Sequence, residues 1–80
     1  MPDRVHSEIT AWANNGAVDQ LEGLVQCRLH GRVHGFRLLV RGHGLVLRGH
    51  ARTYYAKQLA EETVLEATRV PILANEIEIG

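Results

Sequence analysis

The sequence has one cysteine, no net charge and no long apolar run among its 80 residues. A lone Cys27 excludes an internal disulfide, so the predicted fold does not depend on an oxidising compartment. No apolar stretch approaches the ~20 residues of a membrane-spanning helix, and no transmembrane segment is predicted. The first ten residues, MPDRVHSEIT, lack the basic and apolar regions of a secretory signal. A cytoplasmic location is therefore expected if the chain is complete.

The sequence also lacks recognisable catalytic motifs. Ser7 is its only serine, and it contains no nucleophile elbow, zincin motif or phosphate-binding loop. Cys27 lies beside the apolar stripe of a predicted helix, where an unreactive thiol is the usual case. A chain of this length forms one domain with little room for a deep pocket. We therefore expect a protein that is not an enzyme and has no cofactor.

Charge is distributed unevenly along the chain. Residues 27–57 contain seven basic side chains, four histidines and no acidic residue, whereas residues 58–80 contain five glutamates and one arginine. The sequence is therefore polarised into a basic half and an acidic half.

Hydrophobic spacing predicts five elements after an N-terminal extension, residues 1–16, which is predicted to contain a short helix. A helix over residues 18–29 is followed by a loop at Gly35, two strands around the turn Gly42-His43-Gly44, a second helix and a last strand. Thr53 is predicted to cap the second helix, and Pro71 excludes helix beyond it. The apolar spacings that carry these predictions belong to Val5, Ile9, Trp12 and Ala13; Val18, Leu21, Val25 and Leu29; Phe36, Leu38 and Val40; Leu45 and Leu47; Ala56, Leu59, Ala60, Thr63, Val64 and Ala67; and Leu73, Ile77 and Ile79.

The order α-β-β-α-β predicts an α+β fold. The most economical packing is a small three-stranded sheet covered on one face by two helices.

Three segments in this order resemble the BON domain, a small module of bacterial envelope and stress-response proteins. They are LVLRG at residues 45–49, YYAKQLAEETV at 54–64 and LANEIEI at 73–79. The stretch LRGHARTYYAKQLA is similar to planctomycete-like members, and the chain carries a single copy, as a BON-like domain at residues 17–80. The resemblance implies a non-enzymatic module that attaches to phospholipid surfaces or envelope components. It also implies a periplasmic or envelope location if the chain is one domain of a larger protein.

The residues between the second strand and the second helix are the candidate binding site. Arginine matches the geometry of phosphate, and tyrosine rings are stable at the boundary between water and lipid. Imidazoles would strengthen such binding below about pH 6.5, as they gain charge. The alternative is a solvated edge, with one tyrosine packed against the sheet. The predicted anion- and lipid-binding residues are Arg48, His50, Arg52, Tyr54, Tyr55 and Lys57.

Three other hypotheses follow from the sequence. The runner-up function is protein interaction or self-association, including a homo-oligomer, through an open edge of the sheet. Nucleic-acid binding is disfavoured, because only Phe36 lies among the arginines that precede Tyr54. A metal site at Cys27, His30 and His34 is also disfavoured, because Gly31 is expected to end the helix within this set.

Overall fold

The computed structural model describes residues 16–80, and the predicted N-terminal helix lies outside this range. The elements are α1 (Ala17–Leu29), β1 (Val33–Arg41), β2 (Gly44–Ala51), α2 (Tyr54–Ala67), β3 (Ile72–Asn75) and β4 (Glu78–Ile79). The predicted α+β class and the α-β-β-α-β order are confirmed. The predicted last strand consists of two short segments, β3 and β4, which both pair with β2 in parallel.

Both helices pack on one face of the sheet. Helix α1 buries Leu21, Val25 and Leu29, which are three members of its predicted apolar stripe. Helix α2 approaches the sheet closely because small side chains, Ala56 and Ala60, line its buried face. The strand residues that face the helices are Phe36, Leu38, Leu45, Leu47 and Ala51, as the alternation predicts.

A two-residue turn, Gly42-His43, joins β1 to β2, and Arg41 is paired with Gly44. Gly42 has a φ of +55°, while His43 does not have a positive φ. This is the pattern of a type II′ turn, in which glycine occupies the first central position. The predicted hairpin is confirmed.

The loop predicted at Gly35 is instead part of β1. Gly35 has a φ of +62° and lies at a bulge, where the register with β2 shifts between His34 and Arg37. A positive-φ glycine kinks a strand at a bulge without ending its pairing. Strand β1 therefore begins at Val33, opposite Ala51.

Asn75 explains why the last strand is divided. Its side-chain oxygen accepts the N–H of Ile77 at 3.2 Å, and this local turn directs Ile77 into the core. Its amide nitrogen donates to the carbonyl of Lys57 at 3.1 Å and to the carboxylate of Glu61 at 3.3 Å. Asn75, which is half-buried, therefore joins the end of β3 to helix α2.

The prediction that Leu73 and Ile77 lie on the same face of the last strand is wrong. The register between β2 and β3 shifts by one residue, because Leu45 pairs with Ile72 while Val46 pairs with Ala74. Ile72 consequently packs against the core, and Leu73 remains 44% exposed on the other face of the sheet.

Candidate functional site

A shallow concavity of about 420 Å³ lies where α1 ends and α2 begins. Val33 pairs with Ala51, so the residues just outside this pair, Arg32 and Arg52, come together at the end of the sheet. We call this site the basic concavity, and its lining residues are Gly31, Arg32, His34, Arg52, Thr53, Tyr55 and Ala56.

Local backbone chemistry fixes both walls of the basic concavity. On one side α1 ends at Leu29, and His30 and Gly31 have positive φ values of 53° and 79°. The N–H of Arg32 donates to the carbonyl of Leu29 at 3.1 Å, which closes a tight turn. On the other side, the hydroxyl oxygen of Thr53 accepts the N–H of Ala56 at 3.1 Å, so the predicted cap of α2 is confirmed.

The arginines of the basic concavity have no carboxylate partner within residues 16–80. The ion pairs in this range are Arg37 with Glu22, Arg48 with Glu76 and His50 with Glu78. None of them involves Arg28, Arg32, Arg52 or Lys57. The lining of the basic concavity also contains no acidic residue. Its positive charge is therefore not neutralised by any carboxylate of residues 16–80.

Two tyrosines begin helix α2 next to these arginines. Tyr54 is 63% exposed and Tyr55 is 65% exposed, while the buried face of the helix begins at Ala56. The packed tyrosine of the alternative is therefore wrong, whereas its solvated edge agrees with these exposures. Two exposed aromatic rings therefore lie at the start of α2, next to arginines that have no carboxylate partner within residues 16–80.

A second concavity lies on the sheet face that the helices leave uncovered. We call it the paired concavity, because its cations have carboxylate partners. Arg48 Nε lies 2.9 Å from Glu76 Oε1, and His50 Nε2 lies 3.2 Å from Glu78 Oε1. Its lining residues are His34, Gly35, Arg48, Gly49, His50, Glu76 and Glu78, so His34 is shared with the basic concavity.

The structure thus divides the predicted binding set. Arg52 and Tyr55 line the basic concavity, and Tyr54 and Lys57 belong to the same first turn of α2. The other two members, Arg48 and His50, line the paired concavity instead. The chain segment is continuous, but β2 ends at Ala51, so Arg52 and the first turn of α2 lie beyond the sheet, whereas Arg48 and His50 lie within the strand.

The seven basic residues of the middle segment do not form one surface. Arg37 and Arg48 are paired with carboxylates, and Arg41 lies at the hairpin end, where it donates to the carbonyl of Val40 at 3.1 Å. A continuous track for a nucleic-acid backbone needs such cations side by side.

The metal hypothesis concerns Cys27, His30 and His34. Cys27 is exposed on α1, and His30 lies just beyond the end of that helix. Throughout residues 16–80, no three histidine, cysteine or acidic side chains are grouped closely enough to hold a metal ion.

Two polar side chains of α1 that sequence reasoning missed cover the edge of the sheet. Glu22 Oε2 accepts the N–H of Leu38 at 2.9 Å, and Gln26 Nε2 donates to the carbonyl of Phe36 at 2.9 Å. These two hydrogen bonds satisfy a backbone N–H and a backbone carbonyl at the edge of β1, which could otherwise pair with another strand. The only signal in the sequence is the spacing of four residues between Glu22 and Gln26, which places them on one face of the helix.

No protein-family model, curated protein or solved structure matches the chain. The BON resemblance therefore stays a prediction from the quoted segments. Among the described residues, no helix is long and apolar enough to cross a membrane.

Proposed function

We propose that this chain is a BON-like, non-enzymatic binding module that attaches to anionic phospholipid surfaces through the basic concavity. The observation that carries the proposal is the position of the uncompensated Arg32 and Arg52 beside the exposed rings of Tyr54 and Tyr55. The resemblance to the BON family supports the same ligand class, with an envelope component as a related target.

The expected affinity follows from the charges. A basic side chain near an anionic membrane contributes about 1 kcal/mol, and this contribution falls off within a Debye length. At the adjoining ends of α1 and α2, four cations have no carboxylate partner within residues 16–80, namely Arg28, Arg32, Arg52 and Lys57. Together they would contribute about 4 kcal/mol, which corresponds to a dissociation constant near 1 mM. The tyrosine rings add contact at the interface between water and lipid. Binding is therefore expected to be weak for a single domain and strongly weakened by salt.

The test is co-sedimentation with vesicles of phosphatidylglycerol mixed into phosphatidylcholine, compared with phosphatidylcholine alone, at low and at high salt. The parent protein should bind only the anionic vesicles, and more strongly at low salt. The double variant Arg32→Gln/Arg52→Gln should lose about 2 kcal/mol, a weakening of about thirtyfold. Absence of binding to anionic vesicles at low salt would reject the proposal.

The matched control is Arg37→Gln/Arg48→Gln. It removes the same number of arginines, but from positions where Glu22 and Glu76 already neutralise them. This variant should bind within a few-fold of the parent protein. An equal loss in both double variants would show that net charge, and not the basic concavity, determines binding.

The alternative function is association through an open edge of the sheet. At β1, Glu22 and Gln26 cover the groups that a partner strand would use. The other edge consists of two short segments, interrupted where Ile77 turns into the core. One edge is partly covered by helix side chains and the other is short, and native proteins limit edge pairing in both ways. Concentration-dependent dimerisation without vesicle binding would favour this alternative.

A further inference from the structure

The strand register places two histidines and a glutamate side by side across three strands. His34 is directly opposite His50 in the pairing of β1 with β2, and His50 is directly opposite Glu78 in the pairing of β2 with β4. Residues that are directly opposite each other in neighbouring strands project from the same face of the sheet. All three side chains accordingly line the paired concavity, on the face that the helices leave uncovered. We call His34, His50 and Glu78 the histidine row.

Two donor atoms of the histidine row already have the spacing that a zinc ion requires. His50 Nε2 lies 3.2 Å from Glu78 Oε1. In a tetrahedral site with bonds of about 2.0 to 2.1 Å, two donor atoms lie about 3.3 Å apart. Imidazole and carboxylate together are zinc ligands, whereas calcium and magnesium prefer oxygen ligands alone. The observed pair therefore matches one edge of a zinc tetrahedron.

The third donor requires a side-chain rotation. As the side chains stand, no three donors within residues 16–80 are grouped closely enough to hold a metal ion. His34 and His50 are directly opposite and both exposed, and the Cβ atoms of such a pair are about 4.5 to 5.5 Å apart. His34 lines both concavities, so it lies between them and its ring can turn toward either. Exposed side chains change rotamer within nanoseconds, so His34 can turn to join the other two donors.

The charge of the paired concavity favours a cation. Its lining contains two glutamates and one arginine. Arg48 is held by Glu76, which leaves Glu78 with a histidine as its ion-pair partner among the described residues. A neutral imidazole that binds a metal ion adds no charge of its own. A divalent cation would therefore meet a net negative lining here, in contrast to the basic concavity.

We propose that the histidine row binds a zinc ion, with His34, His50 and Glu78 as the three protein ligands and water at the fourth position. Two histidines and one carboxylate form a known three-ligand zinc set, which leaves that fourth position open. The ion would join β1, β2 and β4 at the end of the sheet where β4 has only two residues. This proposal is independent of lipid binding.

The test is a titration of the full chain with zinc chloride, monitored by isothermal calorimetry and by amide NMR spectra. One zinc ion should bind per chain, with the largest chemical-shift changes around residues 34, 50 and 78. The urea midpoint should rise with zinc, because a ligand that binds only the folded state stabilises it. His34→Gln/His50→Gln and Glu78→Gln should each weaken binding at least about tenfold and reduce this rise. Circular dichroism establishes that each variant retains its fold.

The matched control is His6→Gln/His43→Gln, which removes the same number of histidines from outside the histidine row. A second control, Cys27→Ser/His30→Gln, removes two members of the set that the sequence suggested. Both controls should bind zinc within a few-fold of the parent protein. Absence of zinc binding by the parent protein would overturn the proposal, and so would an equal loss in the histidine-row variants and in either control. Zinc-induced shifts centred away from the histidine row would overturn it as well.

Discussion

The two concavities share His34 and similar cations, but only one of them neutralises its own charge. In the paired concavity, β2 presents Arg48 and His50 to two glutamates that follow β3. In the basic concavity, Arg32 and Arg52 come from the ends of adjacent strands and face no carboxylate within the described residues. The contrast shows that the sheet register, and not the run of basic residues alone, determines which cations have an acidic neighbour.

The register itself accounts for the difference. His50 pairs directly with Glu78 across β2 and β4, so their side chains emerge on the same face. Arg52 comes after Ala51, the last residue of β2 that pairs with β4, so no glutamate of β4 lies directly opposite it. His50 lies within the paired part of β2 and meets a glutamate, whereas Arg52 lies beyond the end of the pairing and does not.

The backbone also differs between the two sites, and this predicts the largest effect on stability. Gly49, in the paired concavity, has a φ of +152°, and an added Cβ would lie 2.9 Å from Val33 Cγ1. Gly49→Ala should cost about 3 kcal/mol, because an unfavourable φ adds to overpacking. A small domain has only about 5 to 10 kcal/mol of stability, so urea unfolding followed by circular dichroism should show a large shift.

Gly31, in the basic concavity, is the matched comparison. It has a φ of +79°, but an added Cβ would meet no atom within 4 Å. Gly31→Ala should cost about 1 to 2 kcal/mol, from the backbone alone. Equal losses for the two variants would contradict the close approach of β1 to Gly49.

The second prediction concerns a variant in which the paired concavity loses one of its two carboxylates and becomes more basic. Glu76→Gln keeps the size of the side chain but removes the charge opposite Arg48. The pair is exposed, so little stability should be lost. One freed cation should strengthen binding to phosphatidylglycerol vesicles by about 1 kcal/mol, or about fivefold. Glu62→Gln, an equal charge change on the exposed side of α2, is the control and should have a smaller effect.

Sequence patterns predict most of the fold because its signals are local. The alternation of Phe36 and Leu38, the alanine face of α2 and the capping hydroxyl of Thr53 each depend on neighbours within a few residues. The α+β order follows from such signals, and so does the hairpin at Gly42.

The division of the candidate site into two concavities depends on contacts between residues that are far apart in the sequence. Arg48 and Glu76 are 28 residues apart, and they meet only because a register shift near Leu73 sets how the last segment lies along β2. The hydrogen bond by which Glu22 covers the edge of β1 likewise depends on where α1 runs relative to that edge. Alternation gives Arg48 and Arg52 the same face, so it could not have separated them, and no pattern in the sequence indicates which of them acquires a carboxylate.

The smallest predicted effect concerns His34, which lines both concavities. It faces Arg32 and Arg52 on one side and the pairs Arg48–Glu76 and His50–Glu78 on the other. A protonated imidazole adds positive charge, so the predicted strengthening of binding to phosphatidylglycerol vesicles on acidification should be at most about fivefold per histidine. His34→Gln should remove part of this gain, whereas His43→Gln, at the hairpin turn, should retain all of it. An identical pH response in both variants would exclude His34 from the binding surface.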